Sequence, residues 1–172
     1  MSDLPQDQPQ DQILQDAPLR RKPSQTRALE KIQLICDVAI KLIAEKGSDT
    51  LRMSEIAQKA GISIGALYQY FPDKSALIGY LFGIYARESR NCISSALEKI
   101  TTADALLTAY DDLIEEYYAL FLSEPAIADI WSATQTDKAL LQLEITESRA
   151  NGNLLAQTVI KLRATPHSDA VR

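Results

Sequence analysis

A single histidine, His167, and two cysteines, Cys36 and Cys92, leave this 172-residue chain short of the side chains from which metal centres and nucleophilic triads are built. With one imidazole, neither a multi-histidine site nor a Ser-His-Asp arrangement can form, and no cofactor is expected. The cysteines are far apart in sequence and fall in separate helix-patterned segments, which excludes closely spaced zinc ligation or a disulfide framework. Both read as buried, inert side chains. Long apolar runs are also missing: nowhere do about 18 consecutive apolar residues occur, and Met1–Gln15 has no basic start followed by an apolar stretch. The expectation is a soluble, cytoplasmic protein without a membrane partner. Alternating strand patterns are absent as well, so the fold class expected is all-α.

Charge is present but unevenly placed. The net charge is -5, yet residues 20–75 carry ten Lys or Arg against six acids, while residues 1–19 carry four Asp and no base. A basic block inside an acidic chain can bind phosphates while the remainder suppresses indiscriminate adhesion. Residues 1–23 form a polar Asp/Gln/Pro arm with too few apolar side chains to offset the entropy of ordering, so disorder is expected. The arm ends in Arg20-Arg21-Lys22-Pro23, either a solvated linker or a flexible contact to DNA phosphates.

From Thr26 to Lys46, Leu29, Ile32, Ile35, Cys36, Ala39 and Ile43 recur at three and four, drawing one stripe along a helix that Gly47 closes. Two short helical segments follow, roughly Met53–Ala60 and Ser63–Tyr70, separated by Gly61-Ile62. Ser63 is placed to cap the second, Pro72 to stop it and Asp73 to cap what comes next. A long helix is predicted to about Ile100, another from Thr102 to Ser123, a short one through Trp131 after Pro125, and a last from about Thr136 to Leu162, loosened at Asn151-Gly152-Asn153.

The informative stretch runs from Leu51 to Leu77. Ile56, Ala60, Ile62 and Leu67 face inward, small Ala57 lets two helices approach, and Gly61 makes a sharp turn, which is the physics of a helix-turn-helix. Ile56-Ala57, Ala60-Gly61-Ile62-Ser63 and the run Gly65-Ala66-Leu67-Tyr68-Gln69-Tyr70-Phe71, followed by Asp73-Lys74 and Leu77, resemble the TetR family of transcriptional regulators. The resemblance covers residues 26–80.

That resemblance implies a three-helix DNA-binding head over residues 24–72, with a recognition helix lying in the major groove of double-stranded DNA. A helical ligand-binding and dimerisation domain over 73–172 would follow it. Ile64, Gly65, Ala66, Tyr68 and Gln69 match groove-facing positions, Tyr70 and Lys74 match phosphate contacts, Arg52 and Ser54 match positions touching backbone or bases, and Ser63, as the cap, aims the free amides of the helix start where a phosphate would sit. Gln69 can pair bidentately with an adenine edge, whereas Ile64 and Ala66 can only pack on thymine methyls, so a palindromic operator with A·T-biased half-sites is expected.

By the same resemblance the second domain encloses a pocket for an apolar or aromatic effector. Its candidates are Tyr110, Tyr117, Phe121 and Trp131, though aromatics at helical spacing are ordinarily core. Family members usually continue with two further long helices that pair with a second subunit. The bundle here therefore reads as incomplete beside an expected homodimer. Two other readings stay open: a helical protein-interaction module, and an enzyme built on Asp111-Asp112 or Glu115-Glu116, whose helical spacing instead suggests a solvated acidic face.

Overall fold

The computed structural model describes residues 26–164. The expected disordered arm with its basic end, and His167, lie outside the described residues.

Within them the chain forms helices α1 (Thr26–Lys46), α2 (Met53–Lys59), α3 (Ile64–Tyr70), α4 (Lys74–Glu98), α5 (Ala103–Ser123), α6 (Pro125–Thr134) and α7 (Lys138–Ala164), with no strand among the described residues. The all-α class and the N-terminal three-helix arrangement follow the sequence pattern. Seven-residue helices such as α2 and α3 are unstable in isolation, because nucleating a helix fixes several dihedrals for one hydrogen bond. They persist because Ile35, Ile56, Leu67 and Phe71 are fully buried against one another. Each such side chain contributes about 1.5–3 kcal/mol from loss of apolar surface to water.

The turns are fixed by local chemistry. Gly47 and Gly61 sit at φ 85° and 65°, a region costly for any side chain with a Cβ. After α2 the Ile62 amide donates to the Ala57 carbonyl (3.0 Å) and the Gly61 amide to Gln58 (3.2 Å), the paired bonds of a Schellman closure. Side-chain caps start the next elements: Ser63 Oγ accepts from Ala66 N at 3.1 Å, Asp73 Oδ1 from Ala76 N at 2.7 Å and Thr102 Oγ1 from Ala105 N at 3.1 Å. Pro125 occupies the first turn of α6, where its missing amide leaves nothing unsatisfied.

One buried cluster runs from α1 through α2 and α3 into the first half of α4 and on to Ala126, Ile130 and Leu140. Helix α6 touches α1, α4, α5 and α7. By contrast, α5 buries no residue, and Leu107, Ile114 and Leu122 are 66%, 54% and 66% exposed.

Two expectations are corrected. Helix α7 passes through Asn151-Gly152-Asn153 without a break. A helical glycine costs only about 1 kcal/mol relative to alanine, which packing of α7 on α4 and α6 overrides. Cys92 is exposed, whereas Cys36 is buried as expected. At 3.6 residues per turn, Leu97 returns to the buried line of Ala86 while Cys92 points about 120° away from it.

Candidate nucleic-acid interface and neighbouring cavity

Helix α3 is anchored by a single fully buried residue, Leu67, and turns the rest of its surface outward. Ser63, Ile64, Gly65, Tyr68 and Gln69 are exposed and Ala66 is half-buried. Ile64 and Tyr68, at 43% and 39% exposure, are large apolar surfaces left in water, and they lie one turn apart on one face. The Ser63 hydroxyl satisfies one of the free amides at the start of α3, and a Cβ built on Gly65 would meet no atom within 4 Å.

Arg52 immediately precedes α2 in extended backbone and Ser54 is the second residue of that helix; both side chains are exposed. Tyr70 is half-buried and packs on the core. Lys74 is turned toward the molecule, its ammonium donating to the carbonyls of Ser48 and Asp49 at 3.1 Å each. An ammonium has three donors, so one is left to meet another oxygen.

The head is tied to the bundle at the α1–α2 turn. The Ser48 amide and hydroxyl both donate to the Asp129 carboxylate of α6, the hydroxyl at 3.2 Å, while Lys74 holds the carbonyl side of the same turn. Ser48 is thereby buried at 2% exposure with its polar atoms satisfied. A Lys46–Glu55 ion pair ties α1 to α2 across this turn, and the hydrogen bond from Lys46 holds the Glu55 carboxyl below its ordinary value.

Between α4, α5, α6 and α7 lies a cavity of about 180 Å³. Phe82, Tyr117 and Trp131 form one side, and Glu144, Glu147 and Asn151 of α7 form another. Phe82 and Trp131 have ring centroids 4.8 Å apart. Phe121 does not line the space but backs it, stacked on Tyr117 at 6.1 Å and edge-on to Trp131 at 5.7 Å. Three of the four expected aromatics are thus brought together. Tyr110, 52% exposed, stays on the outer surface of α5. The Tyr117 hydroxyl is hydrogen-bonded to Ser89, Glu147 is ion-paired with Arg90, and Glu144 accepts from Ser148 Oγ at 3.0 Å. Asn151 Oδ1 is buried without a hydrogen-bond partner.

The polar side of this cavity was missed in the sequence, although residues 144, 147, 148 and 151 repeat at three and four and so announce one helical face. The Asp129–Ser48 link, across 81 residues, has no sequence signal.

Comparison with known proteins bears on both regions. The family model described as bacterial regulatory proteins, tetR family, matches residues 35–81, and one described as a tetracyclin repressor-like C-terminal domain matches residues 104–172. The HTH-type transcriptional regulator YuxN of Bacillus subtilis (strain 168) is 38% identical over 81 residues, 47% of this chain and only 27% of its own length. An HTH-type transcriptional regulator of Staphylococcus aureus (strain bovine RF122 / ET3-1) is 27% identical over 151 residues, covering 67% of this chain and 79% of its own. Among solved structures, a protein described as a transcriptional regulator from Streptomyces coelicolor A3(2) superposes with a TM-score of 0.64 at 20% identity, covering 75% of each chain, a likeness of fold.

Proposed function

Since this chain belongs to the TetR family of bacterial regulatory proteins, we propose that it is a sequence-specific DNA-binding transcriptional regulator, a repressor that a small-molecule effector releases from a palindromic operator. The observation that carries the reading is the outward presentation of α3. A capped, seven-residue helix exposes Ile64, Gly65, Tyr68 and Gln69 while the fully buried Leu67 and the half-buried Tyr70 pin it to the core. Such a rod enters a major groove, Gln69 addressing an adenine edge and Ile64 thymine methyls. Arg52, Ser54, Ser63, Ala66 and Tyr70 supply the remaining contacts, and the third donor of Lys74 reaches a phosphate. Residues 24–72 serve as the DNA head and 73–172 as the regulatory domain.

Two heads at fixed spacing are required for half-sites roughly 34–36 Å apart. The outward apolar residues Leu107, Ile114 and Leu122, which recur at seven and eight along α5, favour a second copy of the chain as the means, because an exposed apolar stripe marks association. Regulation is carried by α6. Trp131 of this helix walls the cavity while Asp129, two residues earlier, holds Ser48 in the head. An effector that binds better to the form with misplaced heads shifts the population away from DNA by that difference in affinity.

The acidic pairs Asp111-Asp112 and Glu115-Glu116 are exposed on α5, which favours a solvated face over a catalytic cleft. No helix of the described residues is long and apolar enough to cross a membrane.

The test is selection from a randomised duplex pool followed by fluorescence anisotropy at several salt concentrations. The expected result is an A·T-biased inverted repeat whose affinity falls by about 10³ between 50 and 200 mM salt, as for some six phosphate contacts. Absence of duplex binding at low salt, or binding insensitive to salt, refutes the proposal and favours a protein-docking role.

A further inference from the structure

We infer that the cavity between α4 and α7 takes a small organic ammonium ion, a narrower class than the apolar or aromatic effector expected from the sequence. The inference rests on reading that cavity as the effector site.

The charges around the space do not balance. The hydroxyls of Ser89 and Tyr117 are engaged with each other, and the Arg90 guanidinium offsets Glu147. The Glu144 carboxylate, whose bond from Ser148 is to a neutral group, keeps its charge at the wall. A carboxylate screened from water and left without a counter-charge is costly, so the natural occupant brings a positive charge. Across from this carboxylate stand the rings of Phe82, Tyr117 and Trp131. Aromatic faces attract a cation through the ring quadrupole, most strongly where water is excluded. A carboxylate ligand would meet the Glu144 charge and be repelled. A neutral apolar ligand would leave that charge uncompensated.

Size narrows the class. At about 180 Å³ the cavity lies below the roughly 300–1,000 Å³ of sites for drug-sized ligands, which suits a small amine. A primary ammonium on a short aromatic or aliphatic stem satisfies both walls, the head meeting Glu144 and the stem meeting the rings.

The chain supplies its own reporter, because Trp131 is its one tryptophan. Trp131 fluorescence of the full chain is titrated with 2-phenylethylamine, protonated at pH 7, with its neutral counterpart 2-phenylethanol and with phenylacetate. The expected order is amine at least tenfold tighter than alcohol, with no response to phenylacetate. Glu144→Gln removes the charge while keeping the shape and weakens the amine about tenfold. It leaves the alcohol unchanged, which also certifies that the variant is folded, and Glu144→Asp restores part of the preference. Equal affinity for amine and alcohol, tighter binding of phenylacetate, or no response to the amine each overturns the inference. The effector reading is judged apart, by adding the amine to the complex with the selected duplex. Cavity binding that leaves DNA affinity unchanged sinks that reading and spares the ammonium site.

Discussion

Replacing Gly65 by alanine separates the stability of the recognition helix from its fit to DNA. Gly65 is the second residue of α3, its backbone does not lie at positive φ, and an added Cβ has open space around it. Alanine there relieves the entropic cost of glycine in a helix, about 0.5–1 kcal/mol, without strain or clash. For a chain of this length that raises Tm by about 1–4 °C. On the proposed docking, the same methyl would lie between the helix backbone and the groove. If the two surfaces meet there, intrusion costs about 1–3 kcal/mol, a loss of roughly fivefold to a hundredfold in affinity. The assay pairs a thermal melt followed by circular dichroism with anisotropy on the selected duplex, and the expected outcome is opposite signs: a more stable protein that binds less well. A lower Tm refutes the open helical geometry of Gly65, and a higher Tm with unchanged affinity refutes its place against DNA.

Asp129→Asn replaces one acceptor oxygen of a charge-assisted pair of bonds to Ser48 by a donor, so unfolding in urea should show a loss of about 1.5–3 kcal/mol. An unchanged midpoint would mean that the head is not held at this turn. Asp137 accepts from Ser75 and from the amides of Ala139 and Leu140, which hold its carboxyl below the ordinary value. Because its folded pKa is the lower one, its contribution is complete above the ordinary carboxylate range, about pH 4, and fades as pH falls through the depressed folded value. Stability measured from pH 6 to pH 2.5 should therefore fall less steeply in Asp137→Asn than in the parent; parallel curves would deny the bonds a role.

The head was legible in the sequence because each of its signals is local. Gly47, Gly61, Ser63, Pro72 and Asp73 act within a few residues of themselves, and all five do in the structure what their chemistry dictates. The bundle was less so. The glycine of Asn151-Gly152-Asn153 reads as an interruption only until α4 and α6 are packed beside it, and Cys92 reads as buried only until its phase relative to Ala86 and Leu97 is known. The cavity was half legible. Aromatic residues attract notice in a helix, while the polar stripe through Glu144, Glu147, Ser148 and Asn151 resembles any solvated face until it is seen to line a space. Asp129 was not legible at all, since its partner is distant in the chain.

Helix α5 contributes Tyr117 to the cavity yet buries none of its own residues. The free energy needed to lift an element away from a fold tracks the apolar contact it surrenders, so α5 is the part of the bundle that detaches most cheaply. On the proposal that the cavity takes a ligand, a wall so lightly fastened favours entry beneath α5 over entry past its better-buried neighbours.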